Sequence, residues 1–136
     1  MLTPEERLEQ LGKALEELDN LSENLPVIVE GARDVAALRK LGISKNVIPL
    51  NKGKSIFTFC EDLAKRSKAA VILTDWDRRG GQLARMLKEG LEANGVRVND
   101  RIRTHIVILS KKEIKDMESL PTFIERLKAM AASQRL

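Results

Sequence analysis

The chain has 136 residues, 43% hydrophobic and 32% charged, with a net charge of +4. These proportions exclude a low-complexity chain and describe one domain with a proper core. No apolar run nears the roughly 18 residues of a membrane span. One cysteine, Cys60, excludes an internal disulfide, and Met1-Leu2-Thr3-Pro4-Glu5-Glu6 lacks the layout of a secretory leader. The expectation is a cytoplasmic protein off the membrane, with Cys60 a small core residue.

The charge is uneven. Residues 1–26 hold seven acids against two bases, and residues 27–136 hold twenty-two bases against thirteen acids. A basic body attracts polyanions such as nucleic acid, although a solvated surface accounts for the charge equally well.

In chain order, residues 3–21 read as a helix. Thr3 and Glu6 form a capping box, Pro4 suits the first helical position, and Leu8, Leu11, Leu15 and Leu18 make one apolar stripe. Strand-like runs follow at Val27–Glu30, Asn46–Leu50, Ala70–Thr74 and Thr104–Leu109. Helical patterns follow at Arg33–Leu41, Ser55–Ser67, Gly81–Asn94 and Pro121 to about Ala132. Ile56, Phe59 and Leu63 are expected inward on one helix, and Leu83, Met86, Leu87 and Leu91 on the next, with Gly42 and Gly95 as stops. Alternation of this kind predicts βαβ crossovers, and hence a mostly parallel four-stranded sheet with helices on both faces. The division expected is an acidic N-terminal helix over 1–24 and a main domain over 25–136.

Ligands of open α/β sheets bind beyond the carboxyl ends of the strands. Glu30 ends the first strand, Asp75 ends the third, and Asp77 follows two residues later. If the first and third strands are neighbours, three carboxylates approach one volume and repel unless a cation is present. Mg²⁺, a hard cation that takes carboxylates, waters and phosphate oxygens, resolves this. Any one of these acids, and Asp34 in its own first turn, reads more simply as a helix cap; the three together favour a metal site. Paired-carboxylate glycosidase chemistry fits less well, because the chain has one Trp, three Phe and no Tyr to build a sugar cleft.

Gly31, Gly53 and Gly80-Gly81 allow backbone N–H groups close to a ligand. The run Asn51-Lys52-Gly53-Lys54-Ser55 is no P-loop, yet Lys52 and Lys54 can reach a phosphate. Arg33, Arg78 and Arg79 flank the acids and can pair with them or with a phosphate. Trp76 can stack on a base or pack under the loop. His105 reads as structural, Arg101 and Arg103 sit near the start of the fourth strand, and Asp116 and Glu118 read as surface acids.

Glu30-Gly31-Ala32-Arg33-Asp34-Val35-Ala36-Ala37-Leu38, with Asp75-Trp76-Asp77-Arg78-Arg79-Gly80, resembles the Toprim domain of topoisomerases, primases and nucleases: a strand-ending Glu-Gly, then a strand-ending Asp-x-Asp. The resemblance covers roughly residues 25–110. It is nearest in look to small stand-alone Toprim proteins and then to ribosomal-RNA maturation nucleases. It implies a compact α/β fold, Mg²⁺ held at Asp75 and Asp77, and Glu30 as a further ligand or general acid/base; Asp34 matches a position that varies in the family. The chain has no tyrosine, which excludes tyrosine-based strand passage, and Arg79 stands where topoisomerases carry a third aspartate. A primase would need further domains. Three functions remain in order: a Mg²⁺-dependent nuclease on RNA or DNA, a nucleic-acid-binding module that needs a protein partner for catalysis, and a nucleotide phosphohydrolase. The acidic helix either packs on the body or dimerises, so monomer and dimer are both open.

Overall fold

The computed structural model describes residues 1–50 and 52–134; the Asn51 of the lysine-rich run lies outside them. The elements are α1 (Pro4–Ser22), β1 (Val27–Val29), α2 (Ala32–Lys40), β2 (Val47–Pro49), α3 (Ile56–Ala64), β3 (Ala69–Ile72), α4 (Arg78–Ala93), β4 (Arg97–Asn99), α5 (Arg101–Ser110) and α6 (Leu120–Gln134). The four strands lie in the order β2-β1-β3-β4, and every pairing is parallel. After β2 the chain crosses back over β1 to start β3, so the order reverses between β1 and β3. Their register pairs Val27 with Val71 and Ile28 with Ile72.

Alternation along the two central strands sorts the core into two layers. Val27, Val29, Val71 and Leu73 face one way, onto Leu11 and Leu18 of α1, Leu38 of α2, Ile102 and Ile106 of α5, and Phe123 and Leu127 of α6. Ile28, Ala70 and Ile72 face the other way, onto Phe59, Cys60 and Leu63 of α3 and Leu87 and Leu91 of α4. Cys60 is buried and free.

The Thr3–Glu6 capping box of α1 forms as expected, with both reciprocal bonds at 3.1 Å. α1 lies against α5 and α6. Arg7 donates to Leu109 O at 2.7 Å and pairs with Glu113 at 2.9 Å, and Arg101 pairs with Glu17. Each leucine that α1 fully buries contributes about 1.5–3 kcal/mol against exposure. The helix is thus packed on the body through its leucine stripe.

One expected element is of the wrong type. Thr104–Leu109, read as the fourth strand, is helical within α5, and β4 lies earlier at Arg97–Asn99. The run Thr-His-Ile-Val-Ile-Leu is rich in β-branched residues, yet Ile102, Ile106 and Leu109 are buried at helical spacing. Asn99 Oδ1 accepts from the N–H groups of Arg101 and Ile102 at 3.1 and 3.4 Å and starts the helix. His105 therefore sits in a helix, where its Nε2 lies 3.0 Å from Gln10 Oε1 of α1. The strand missed follows Gly95, whose φ of 80° closes α4. It is a short edge strand with an exposed arginine, which explains its faint apolar signature.

Candidate metal centre at the carboxyl ends of the strands

Glu30 and Asp75 end the two central strands at the reversal of strand order, where an α/β sheet offers its crevice. They are held together directly: the backbone N–H of Asp75 donates to Glu30 Oε2 at 2.9 Å. Asp75 Oδ1 accepts from the N–H of Met117 at 2.9 Å. Asp77 caps α4, its Oδ1 accepting from Gly80 N–H at 2.7 Å. Asp34, nearly buried, caps α2 by accepting from Gly31 N–H at 3.0 Å.

Gly80 fits α4 against β3. A Cβ there would lie 2.0 Å from Asp75 O and 2.4 Å from its carbonyl carbon. Thr74 Oγ1 donates to Gly80 O at 2.8 Å and completes the junction.

The acids crowd one another electrically. Burial pushes the Asp75 carboxyl up to about 7, and the charges of Asp34, Glu30 and Asp116 add to this, outweighing the Met117 hydrogen bond that opposes it. Burial likewise raises Asp34, with Glu30 and Glu118 adding repulsion. Asp116 and Glu118, read from sequence as surface acids, therefore act on the site.

Among the described residues no three acid, imidazole or thiol groups close on a common point as a ready cation cage. Glu30 is turned onto Asp75 N–H and Asp77 onto Gly80 N–H. Each of Glu30, Asp75 and Asp77 nevertheless has one carboxylate oxygen without a hydrogen bond among the described residues. Hard oxygen donors beside a carboxyl that resists ionisation suit Mg²⁺, which needs only one or two carboxylates and completes its shell with water and phosphate.

The cations distribute unequally. Arg78 and Arg79 are exposed in the first turn of α4 and make no ion pair among the described residues, so they do not neutralise the aspartates. Arg33 is exposed in the first turn of α2, and Lys52 is exposed after β2. Lys54 is engaged with Asp62 at 2.6 Å.

Two partners of the site were not legible in the sequence. Arg103, placed from sequence near the start of the fourth strand, reaches across from α5. Its Nε donates to Thr74 O at 2.9 Å and an Nη to Asp75 O at 2.7 Å. The segment between α5 and α6 folds over the strand ends, where Lys115 O accepts from Trp76 N–H at 2.8 Å. Trp76 Nε1 donates to Ile114 O at 2.8 Å and the ring packs on the core, so the packing reading of Trp76 holds over stacking.

An all-parallel sheet with acids at the ends of its two central strands defines a Toprim-like α/β protein. The family model for the Toprim domain matches residues 26–109, and the chain belongs to that family. It is 42% identical over 123 residues to a UPF0292 protein of Methanosarcina barkeri, covering 90% of this chain and 85% of the relative. A UPF0292 protein of Methanocaldococcus jannaschii is 38% identical over 122 residues, covering 90% and 95%. A solved structure, a putative protein from Aquifex aeolicus, superposes with a TM-score of 0.67 at 30% identity, covering 79% of this chain and 95% of that one. Membership carries a nucleic-acid-related, metal-binding function as the general property of the family. No described helix is long and apolar enough to cross a membrane.

Proposed function

We propose that this chain is a Mg²⁺-dependent phosphotransfer enzyme on nucleic acid, a nuclease acting on RNA or DNA. The observation that carries the reading is the Glu30–Asp75 pair at the reversal of strand order, with Asp75 pushed up to about 7 by burial and neighbouring acids. A hard cation would offset both the burial and the mutual repulsion that make this carboxyl costly to ionise.

In this reading Asp75 and Asp77 hold the ion and Glu30 exchanges a proton with the attacking water or the leaving oxygen. Water adds to phosphorus, one P–O ester bond breaks, and the departing oxygen takes up a proton. Mg²⁺ would supply charge neutralisation at the phosphoryl oxygens. Arg78, Arg79 and Lys52 draw the phosphate backbone in, and Arg33 meets it from α2. Arg103 positions Asp75 through its carbonyl, without touching substrate.

A second reading has its own observation. Glu30 and Asp77 each spend one oxygen on a backbone N–H, and no three-ligand cage is formed among the described residues. That arrangement also suits a nucleic-acid-binding module whose catalysis needs a partner to complete the site.

Calorimetric titration of Mg²⁺, with and without a short single-stranded oligonucleotide, separates the two readings when paired with a cleavage assay. The enzyme reading expects binding that tightens with oligonucleotide, with Mg²⁺-dependent cleavage lost in Asp75→Asn. Binding without cleavage selects the module. Cleavage that persists unchanged in Asp75→Asn removes the role given to Asp75.

A further inference from the structure

The apolar face of α4 is wider than the sheet covers. Leu87 and Leu91 are buried, but Met86 is 50% exposed and Leu83 lies outside both core layers. On α3, Phe57 is 68% exposed, whereas the other phenylalanine of the helix, Phe59, is buried. These residues share one seam. A Cβ on Gly90 would lie 2.7 Å from Cys60 Sγ, which fixes where α3 and α4 face each other. Phe57 precedes Cys60 by one turn, and Met86 precedes Gly90 by one turn. Both helices follow parallel strands and run away from the carboxyl ends, so Phe57 and Met86 lie at one level. Arg79, Leu83, Met86 and Gly90 form one stripe on α4, with the unpaired Arg79 at its top, beside the carboxylates.

We propose that Phe57, with Leu83 and Met86 beside it, is a stacking platform for one unstacked base of a single strand whose phosphate enters the carboxylate site past Arg79. The inference rests on the nucleic-acid reading above and narrows its substrate to a strand whose bases are accessible. A duplex keeps its bases stacked on one another, so only a single strand or an unpaired end can offer a base to an exposed ring. The patch is apolar below and cationic above, which matches a base attached to a phosphate. It is also small. One aromatic and two aliphatic side chains offer about 300 Å², well under the roughly 800 Å² per partner of a stable dimer.

The test measures binding of a short fluorescent 2′-O-methyl oligouridylate and of its abasic counterpart, at low salt with Mg²⁺. Phe57→Ala, a surface change, is expected to weaken the base-bearing strand about ten-fold and to leave the abasic strand unchanged, while Phe57→Trp keeps wild-type affinity. Equal affinity of wild type and Phe57→Ala, with salt-sensitive binding intact, overturns the platform and leaves the nucleic-acid reading standing. No binding by wild type removes that reading and the platform with it. A dimer in sedimentation that Phe57→Ala dissociates, at unchanged oligonucleotide affinity, assigns the patch to a second copy of the chain and overturns the proposal.

Discussion

Asp75 concentrates the chemistry of the site in one carboxyl. Its pKa stands at about 7 in the folded chain, against an ordinary 3.8, because burial and the charges of Asp34, Glu30 and Asp116 all disfavour ionisation. Between those two values the folded state holds a proton that the unfolded state has released, so stability falls as pH rises from about 4 to about 7. The metal-free protein is therefore expected to lose melting temperature across that window. Asp75→Asn, which carries no charge, should flatten the decline and melt a few degrees above wild type at pH 8 without metal. Mg²⁺ should raise the wild type and leave the variant unmoved. Thermal scans across pH, with and without Mg²⁺, check this, and a wild-type curve parallel to that of Asp75→Asn would remove the crowding argument. The placement of Glu30 and Asp75 at the strand ends, and of Asp77 as a helix cap, was readable because acids that follow apolar runs or precede helices are local features of the sequence. Arg103 and Met117 were not, since they meet Asp75 from 28 and 42 residues away through backbone atoms, which no spacing encodes. The Lys54–Asp62 pair was hidden for a similar reason: the partners are eight residues apart, and Lys54 reaches Asp62 from just before the N-cap of α3, outside the i, i+3 and i, i+4 spacings that a helical pattern announces.

The junction of β3 with α4 shows how elements set the site. Asp77 caps the helix, Thr74 ties to Gly80 O, and the missing side chain of Gly80 lets α4 close on the carbonyl of Asp75. Gly80→Ala would push a carbon into that carbonyl and move the residue whose side chain is the proposed ligand. The expected cost is about 1–3 kcal/mol of stability, from overpacking against backbone that has little room to relax. Mg²⁺ affinity should fall with it, whereas Gly81→Ala, which lies in the same helix and meets nothing within 4 Å, should leave Mg²⁺ affinity unchanged and raise stability by about 0.5–1 kcal/mol through helix propensity. Denaturant unfolding and calorimetry on both variants read the two effects. The glycine pair was visible in the sequence, but which of the two is needed depends on the approach angle of the helix. The same limit explains α5. Its β-branched run favours a strand locally, and only the layer formed by α1, α6 and the sheet decides that Ile102, Ile106 and Leu109 are buried at helical spacing. The two-sided burial of the central strands needed no such help, since the continuous apolar runs Val27-Ile28-Val29 and Val71-Ile72-Leu73 are the signature of a sheet covered on both faces, whereas their adjacency was only a condition in the sequence and is fixed by the pairing of β1 with β3.

Across the whole molecule the charges are sorted by place. The acidic α1 lies on the face opposite α3 and α4, with Arg101 drawn onto Glu17 and Arg7 onto Glu113. Arg78 and Arg79, exposed and without an ion pair among the described residues, stand at the carboxyl ends of the strands beside Asp77. A net charge of +4 is thus a poor summary, because a polyanion meets repulsion on one side and attraction at one edge. Binding of a single strand should depend steeply on salt, and the slope should report contacts at that edge. Each phosphate contact contributes about 0.7 to the slope of log K against log salt for a single strand, so Arg78→Ala/Arg79→Ala should reduce it by about 1.4. Lys65→Ala/Arg66→Ala, at the far end of α3, should leave the slope unchanged while lowering the net charge equally. Titrations of one oligonucleotide at several salt concentrations separate the cases. If both double variants flatten the slope alike, attraction comes from total charge, and the arginines beside Asp77 have no special part in holding phosphate.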